Sequence, residues 1–161
     1  MIRKALPDDA SRVAEILIFT KRVAYRDIFR NDKVSFDVMR VLPLAQQFQT
    51  DPSALAGVYV FDDEFVKGVM HLSGAEQTGG MEIKELYVEP VFQCEGIGGA
   101  MIDFAVQECR QANAGELYLW VLEKNPRAMR FYESKGFSWE GERAMEEGTT
   151  EYRRKYRRVC P

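Results

Sequence analysis

Three glycines within four positions, Gly96, Gly98 and Gly99, stand mid-chain in the stretch QCEGIGGAMI, Gln93 to Ile102. Glycine gives up more backbone freedom on folding than any other residue, so such a cluster needs a local reason. A β-prone run, LYVEP, precedes it, and an apolar set at helical spacing follows: Met101, Ile102, Ala105, Val106 and Cys109. The order strand, short loop, helix entry is a strong constraint on the fold. It also leaves free N–H groups at the start of the helix, which bind anions where backbone can approach them closely. A plain glycine-rich helix entry fits this segment as well. Two other phosphate-binding patterns do not fit. No Lys-Ser/Thr follows for a P-loop, and the third glycine of a dinucleotide fingerprint is misplaced.

Around this turn the chain reads as mixed α+β. Ile2 to Ala5 suits a short strand, and Pro7-Asp8-Asp9 opens a helix carrying Val13, Ile16, Leu17, Val23 and Ala24 on its apolar side. Phe36, Met39, Val41, Leu42 and Leu44 predict a shorter helical region interrupted at Pro43. GVYVFDDEFVKGVMHL predicts a hairpin with Asp62-Asp63-Glu64 at its turn, and Gly79-Gly80 separates it from the strand MEIKELYVEP. A helix from about Gly98 to Asn113, stopped by Gly115, leads to the apolar run ELYLWVL, a central strand. Asn125-Pro126 starts another helix, which stops at Gly136. FSWEGERAM and TEYRRKYRRV close the chain as strands. In the second, Tyr152 and Tyr156 alternate with Arg153, Lys155 and Arg157, the pattern of a half-buried edge strand protected by cations.

Without internal repeats or a linker, residues 1–161 are expected to form a single domain. A net charge of −3 argues against a nucleic-acid partner. No apolar run approaches the ~20 residues needed to span a bilayer. MIRKALPDDA lacks a signal peptide's apolar stretch, and Cys94, Cys109 and Cys160 have no disulfide or metal spacing. A cytoplasmic protein with reduced thiols and no metal is the expectation; a homodimer is compatible with it.

Two stretches together carry a resemblance. LYVEPVFQCEGIGGAMI, followed about thirty residues on by NPRAMRFYESKGF, resembles the GNAT superfamily of acyl-CoA-dependent N-acetyltransferases. The resemblance implies the GNAT fold: a mixed, mostly antiparallel central sheet with flanking helices and a bulged strand at the coenzyme A site. It implies acetyl-CoA as co-substrate and transfer of its acetyl group to a primary amine of a small molecule, polyamines included, or of a peptide. A non-catalytic acyl-CoA sensor on the same fold is the alternative.

The resemblance also implies roles for residues. Gln93, Cys94, Glu95, Gly96, Ile97, Gly98 and Gly99 form the pyrophosphate loop, with Cys94 serving through its backbone. Leu86, Tyr87 and Val88 lie along the pantetheine arm, and Asn125 caps the following helix and bonds pantetheine. Tyr132 stands near the coenzyme sulfur and donates to the leaving thiolate. Glu82 is the candidate base and Glu85 its rival, although water often serves in this family. Ile83 and the pair Leu86/Val88 fall on opposite sides in a period-two count; one bulged residue restores a common face, whereas a strand buried on both faces needs none. Glu95 departs from the family pattern, which more often has a basic or neutral residue there. Arg127, Arg130 and Lys135 are either phosphate contacts or a solvated helical face. His71, in the VMHL strand, reads as structural. TKRVAYRDIFRNDKVSF resembles relatives that act on small amines or polyamines, and acids at Asp62-Asp63-Glu64 and Glu146-Glu147 suggest a rim favouring cationic acceptors.

Overall fold

The computed structural model describes residues 1–74 and 79–160. Seven strands are hydrogen-bonded in the order β1-β2-β3-β4-β5-β7-β6: β1 Ile2–Lys4, β2 Val58–Asp63, β3 Phe65–Ser73, β4 Gly80–Val88, β5 Glu116–Leu122, β6 Ser138–Met145 and β7 Tyr152–Val159. β1–β2, β2–β3, β5–β7 and β6–β7 pair antiparallel, and β4–β5 pairs parallel. The helices are α1 Ala10–Phe29, α2 Val41–Thr50, α3 Ile97–Gln111 and α4 Pro126–Ser134. The chain divides into two compact units, Met1–Leu72 with Glu85–Met101, and Ser73–Lys84 with Ile102–Pro161.

In the first unit, α1 buries Val13, Ala14, Ile16 and Leu17 in one cluster with Val58, Val60, Val66 and Val69 of β2 and β3. Val23 departs from the expected stripe and is 59% exposed. Pro7–Asp9 forms a separate 3-10 turn, because Asp9 is committed to Arg3 and to the Leu6 N–H rather than to the end of α1. Pro43 does not interrupt a helix. It lies in the first turn of α2, where its missing N–H has no intrahelical partner to lose. A single π turn, Val34–Val38, precedes α2. The hairpin turns at Glu64, which takes a left-handed φ of 64°.

In the second unit, β5 buries Leu117, Leu119 and Val121. Its interior place between β4 and β7 agrees with its apolar sequence. Ile102, Ala105, Val106 and Cys109 of α3 are buried, as their spacing predicts. The helix stops earlier than Gly115: Asn113 takes φ 52°, and Ala114 N–H closes back onto the Cys109 carbonyl at 3.0 Å. β7 is not the edge strand; β6 lies outside it. Its cations are tolerated inside the sheet because carboxylates meet them: Glu146 for Arg153, Glu123 for Arg154 and Glu142 for Lys155.

Candidate functional site

The glycine turn lies in the first unit and is held at both ends. Glu89, 7% exposed, donates its N–H to the Lys67 carbonyl at 2.9 Å and takes the Arg12 guanidinium on Oε2 at 2.9 Å. A 3-10 turn over Pro90–Phe92 follows, and Gln93 Nε2 reaches back to the Val88 carbonyl at 3.1 Å. The chain then curls through positive φ at Cys94 (69°) and Gly96 (84°). A Cβ on Gly96 would meet nothing within 4 Å, so conformation rather than crowding calls for glycine there. The first α3 bond runs from Ala100 N–H to the Gly96 carbonyl at 3.0 Å. The N–H groups of Ile97, Gly98 and Gly99 thus precede the first intrahelical donor, which is the arrangement that receives anions. Gly68 on β3 lets α3 approach closely: a Cβ there would lie 3.0 Å from Met101 Sδ and 3.3 Å from Ile97 Cγ2.

The charges beside this turn are not those of a simple anion cradle. Glu95 is exposed in the curl. Lys67 sits near it, with Nζ 2.7 Å from Asp63, 5.0 Å over the Phe65 ring and 5.2 Å over the Phe92 ring. The hydrogen bond to Asp63 raises the lysine pKa above its ordinary value, with Asp63, Glu95 and Glu64 adding charge attraction. Arg12 and Lys67 were not singled out by sequence. Neither residue belongs to a recognisable motif.

Along β4, Glu85 and Tyr87 turn toward α1. Glu85 Oε1 lies 2.7 Å from Lys21 Nζ, and the Tyr87 hydroxyl lies 3.0 Å from that of Tyr25. Glu85 is thus engaged in an ion pair with α1. Leu86 and Val88 are half-buried in the same segment.

Glu82, Asn125 and Tyr132 belong to the second unit. The β4–β5 ladder covers only Gly80–Glu82, with Glu82 opposite Tyr118. No cation among the described residues pairs with Glu82. Asn125 caps α4 by accepting the Ala128 N–H on Oδ1 at 3.1 Å, leaving its amide NH₂ for any further partner. Tyr132 is half-buried, with its ring edge-on to Phe131 at 5.1 Å and to Phe137 at 5.8 Å. Arg127 and Arg130 are exposed and Lys135 half-buried. His71 is half-buried in β3, opposite Val58. Burial pushes the Cys109 thiol up to about 12, which removes it as a nucleophile, and Cys94 is an exposed free thiol.

The acids expected to draw cationic acceptors are largely paired: Asp62 with Arg3 at 2.7 Å, Asp63 with Lys67, and Glu146 with Arg153 at 3.2 Å. Among the described residues no group of three or more His, Cys, Asp or Glu side chains is arranged to hold a metal ion, and no helix is long and apolar enough to cross a membrane.

Comparison with known proteins agrees with this organisation. The chain is 36% identical over 59 residues to an uncharacterised N-acetyltransferase of Lactobacillus delbrueckii subsp. lactis, covering 37% of this chain and 34% of that protein. It is 43% identical over 54 residues to one of Archaeoglobus fulgidus, covering 34% and 37%. The matched segments thus span about a third of the length of these curated relatives. The PaiA N-acetyltransferase of Thermoplasma acidophilum, solved in complex with coenzyme A, shares the fold with a TM-score of 0.71 at 19% identity, over 96% of each chain. The family model of the GNAT acetyltransferases matches residues 22–137, most of the chain, and the protein belongs to that family.

Proposed function

We propose that residues 1–161 act as one acetyl-CoA-dependent N-acetyltransferase domain, an acyltransferase of the EC 2.3.1 class, acting on a primary amine of a small molecule or a peptide. The observation that carries this reading is the glycine turn closing onto α3, with the Ile97, Gly98 and Gly99 amides ahead of the first intrahelical bond. Donors so arranged suit a pyrophosphate, and Gly96 leaves open space beside them. Acetyl-CoA supplies an activated thioester; the chain supplies position, polarisation and proton management.

In this reading Gln93, Cys94, Glu95, Gly96, Ile97, Gly98 and Gly99 form the pyrophosphate loop, with Gln93 N–H held by the Pro90 carbonyl and the N–H groups after it facing the ligand. Backbone groups of Leu86, Tyr87 and Val88 pair with pantetheine amides, helped by a bulge in β4. Asn125 adds a contact through its free NH₂. Glu82 accepts the proton of the attacking amine, directly or through water, and the Tyr132 hydroxyl donates to the departing thiolate. Polyamines fall within the acceptor class, but three of the acids that suggested them, Asp62, Asp63 and Glu146, are already in ion pairs. No metal and no nucleic acid enters this scheme, and the site of action is the cytoplasm.

The test is calorimetric titration with acetyl-CoA, together with CoA release across amines and peptides. Binding with turnover supports the enzyme. Binding without turnover of any amine leaves the sensor, and no binding removes both.

A further inference from the structure

Two of the three thiols, Cys109 and Cys160, are far apart in sequence and meet within the second unit. Cys109 is fully buried near the C-terminal end of α3. Its Sγ donates to the Ala114 carbonyl at 3.5 Å, and its own carbonyl accepts the Ala114 N–H at 3.0 Å. Ala114 and Gly115 lead directly into β5. Cys160 follows β7 and carries the β5–β7 ladder one residue further, donating its N–H to the Gly115 carbonyl at 3.1 Å.

Register fixes the side on which the Cys160 thiol lies. Leu117 is opposite Arg158 and Glu116 opposite Val159. Successive strand residues point to opposite faces, so Cys160 returns to the face of Leu117. Burial agrees: Val159 is 74% exposed, whereas Leu117 is fully buried and Cys160 is 9% exposed. Cys109 is on that side as well, and the two thiols are hydrogen-bond partners. Cysteine spacing gave no sign of the pair, because β5, α4, β6 and β7 all intervene.

We propose that Cys109 and Cys160 are a redox-active pair, which a hydroperoxide converts into an intramolecular disulfide that stabilises the second unit. Both thiols are free in this structure, and Cys160 is the point of entry because it alone of the two retains exposure. The Cys160 thiolate attacks the hydroperoxide. An S–O bond forms, the O–O bond breaks, and the alcohol leaves (water, from hydrogen peroxide), giving a sulfenic acid. The Cys109 sulfur then attacks the Cys160 sulfur. The S–S bond forms as the S–O bond breaks, and the departing hydroxide takes the Cys109 proton as water. Two thiols and one hydroperoxide thus give one disulfide, one alcohol and one water. The high pKa of Cys109 makes the second step slow, and contact offsets this by replacing a bimolecular encounter with an intramolecular one. The bond ties the end of β7 to α3 and closes a long loop, which restricts the unfolded chain.

The test uses the full chain carrying Cys94→Ser, which removes the exposed third thiol. The folded protein is treated with hydrogen peroxide, alkylated with iodoacetamide and mapped as peptides without reduction. A cross-link between the Cys109 and Cys160 peptides is expected, absent from the further variant Cys160→Ala. The oxidised protein is expected to melt roughly 5–15 °C above the reduced one, the scale for a disulfide closing a long loop in a chain of this size. Dithiothreitol, which leaves methionine sulfoxide untouched, should reverse both changes. Thiols that stay free, oxygen added to Cys160 with no cross-link, or a cross-link formed only between chains or only in urea each overturns the pair. A cross-linked protein that melts no higher than the reduced one overturns its stabilising role.

Discussion

Tyr132 shows how one side chain can serve packing and chemistry separately. Its ring is gripped edge-on by Phe131 and Phe137, so the ring holds the end of α4 while the hydroxyl is what the proposed reaction uses. Tyr132→Phe keeps the ring. Its melting temperature and acetyl-CoA affinity should match the wild type, while kcat falls by about 10²–10⁴-fold, the usual loss when a proton donor is removed. A normal kcat with an early melt would make Tyr132 a packing residue. Asp9 is the opposite case, a carboxylate whose work is structural. The Arg3 guanidinium, with the Leu6 N–H assisting, holds its pKa below the ordinary aspartate value. A lowered folded-state pKa gives stability that is present above the unfolded value of about 3.9 and is lost as pH falls through the folded one. Urea midpoints should therefore fall from about pH 4 downward. Asp9→Asn should be less stable at neutral pH and show a shallower acid loss; parallel profiles for the two proteins would dismiss the role. The motif residues were legible in sequence because backbone chemistry constrains them. Lys21 and Arg12 were not, because each acts on a partner more than fifty residues away, and Lys67 was not, because its contact with Phe92 is likewise made only by the fold.

At the scale of elements, local signals were read well and neighbour relations poorly. The Asn125-Pro126 start and Gly136 stop of α4 are written in residue types that suit those backbone positions, and the structure uses both. The period-two pattern of β7 was equally clear, yet it reports which side chains share a face and not which strand lies alongside. That is why cations read as an edge device turned out to be paired within the sheet. The close approach of α3 to β3 was invisible too, since Gly68 in VKGVM looks like any strand glycine. Its reason is the space above it, which Met101 Sδ and Ile97 Cγ2 occupy. Gly68→Val should force the first turn of α3 off the strand, destabilising the protein by about 1–3 kcal/mol, as overpacked sites do. Because that turn carries the proposed pyrophosphate donors, coenzyme affinity should weaken as well. Retention of both stability and affinity would show that α3 can shift without disturbing the loop.

For the molecule as a whole, the GNAT family assignment came from two motifs whose joint spacing exceeded what either could say alone. The division into two compact units had no such trace, because no linker marks it and β4 runs through both. The proposed co-substrate offers a global test. A ligand that binds only the folded state, at a hundred times its dissociation constant, stabilises by about 2.7 kcal/mol. For a chain of this size that corresponds to roughly 5–10 °C in melting temperature. Acetyl-CoA should raise the melting temperature by that order, and ATP or NAD should not. Gly98→Asp should abolish the shift while the protein remains folded. Gly98 is the second residue of α3, where an acid is compatible with the helix dipole, so the fold has no reason to fail. A carboxylate there brings like charge to the pyrophosphate and fills the space its backbone contact requires. If Gly98→Asp melts as the wild type does and still gains the full shift from acetyl-CoA, the pyrophosphate is not held at this turn, and the coenzyme assignment of Gln93 to Gly99 is wrong.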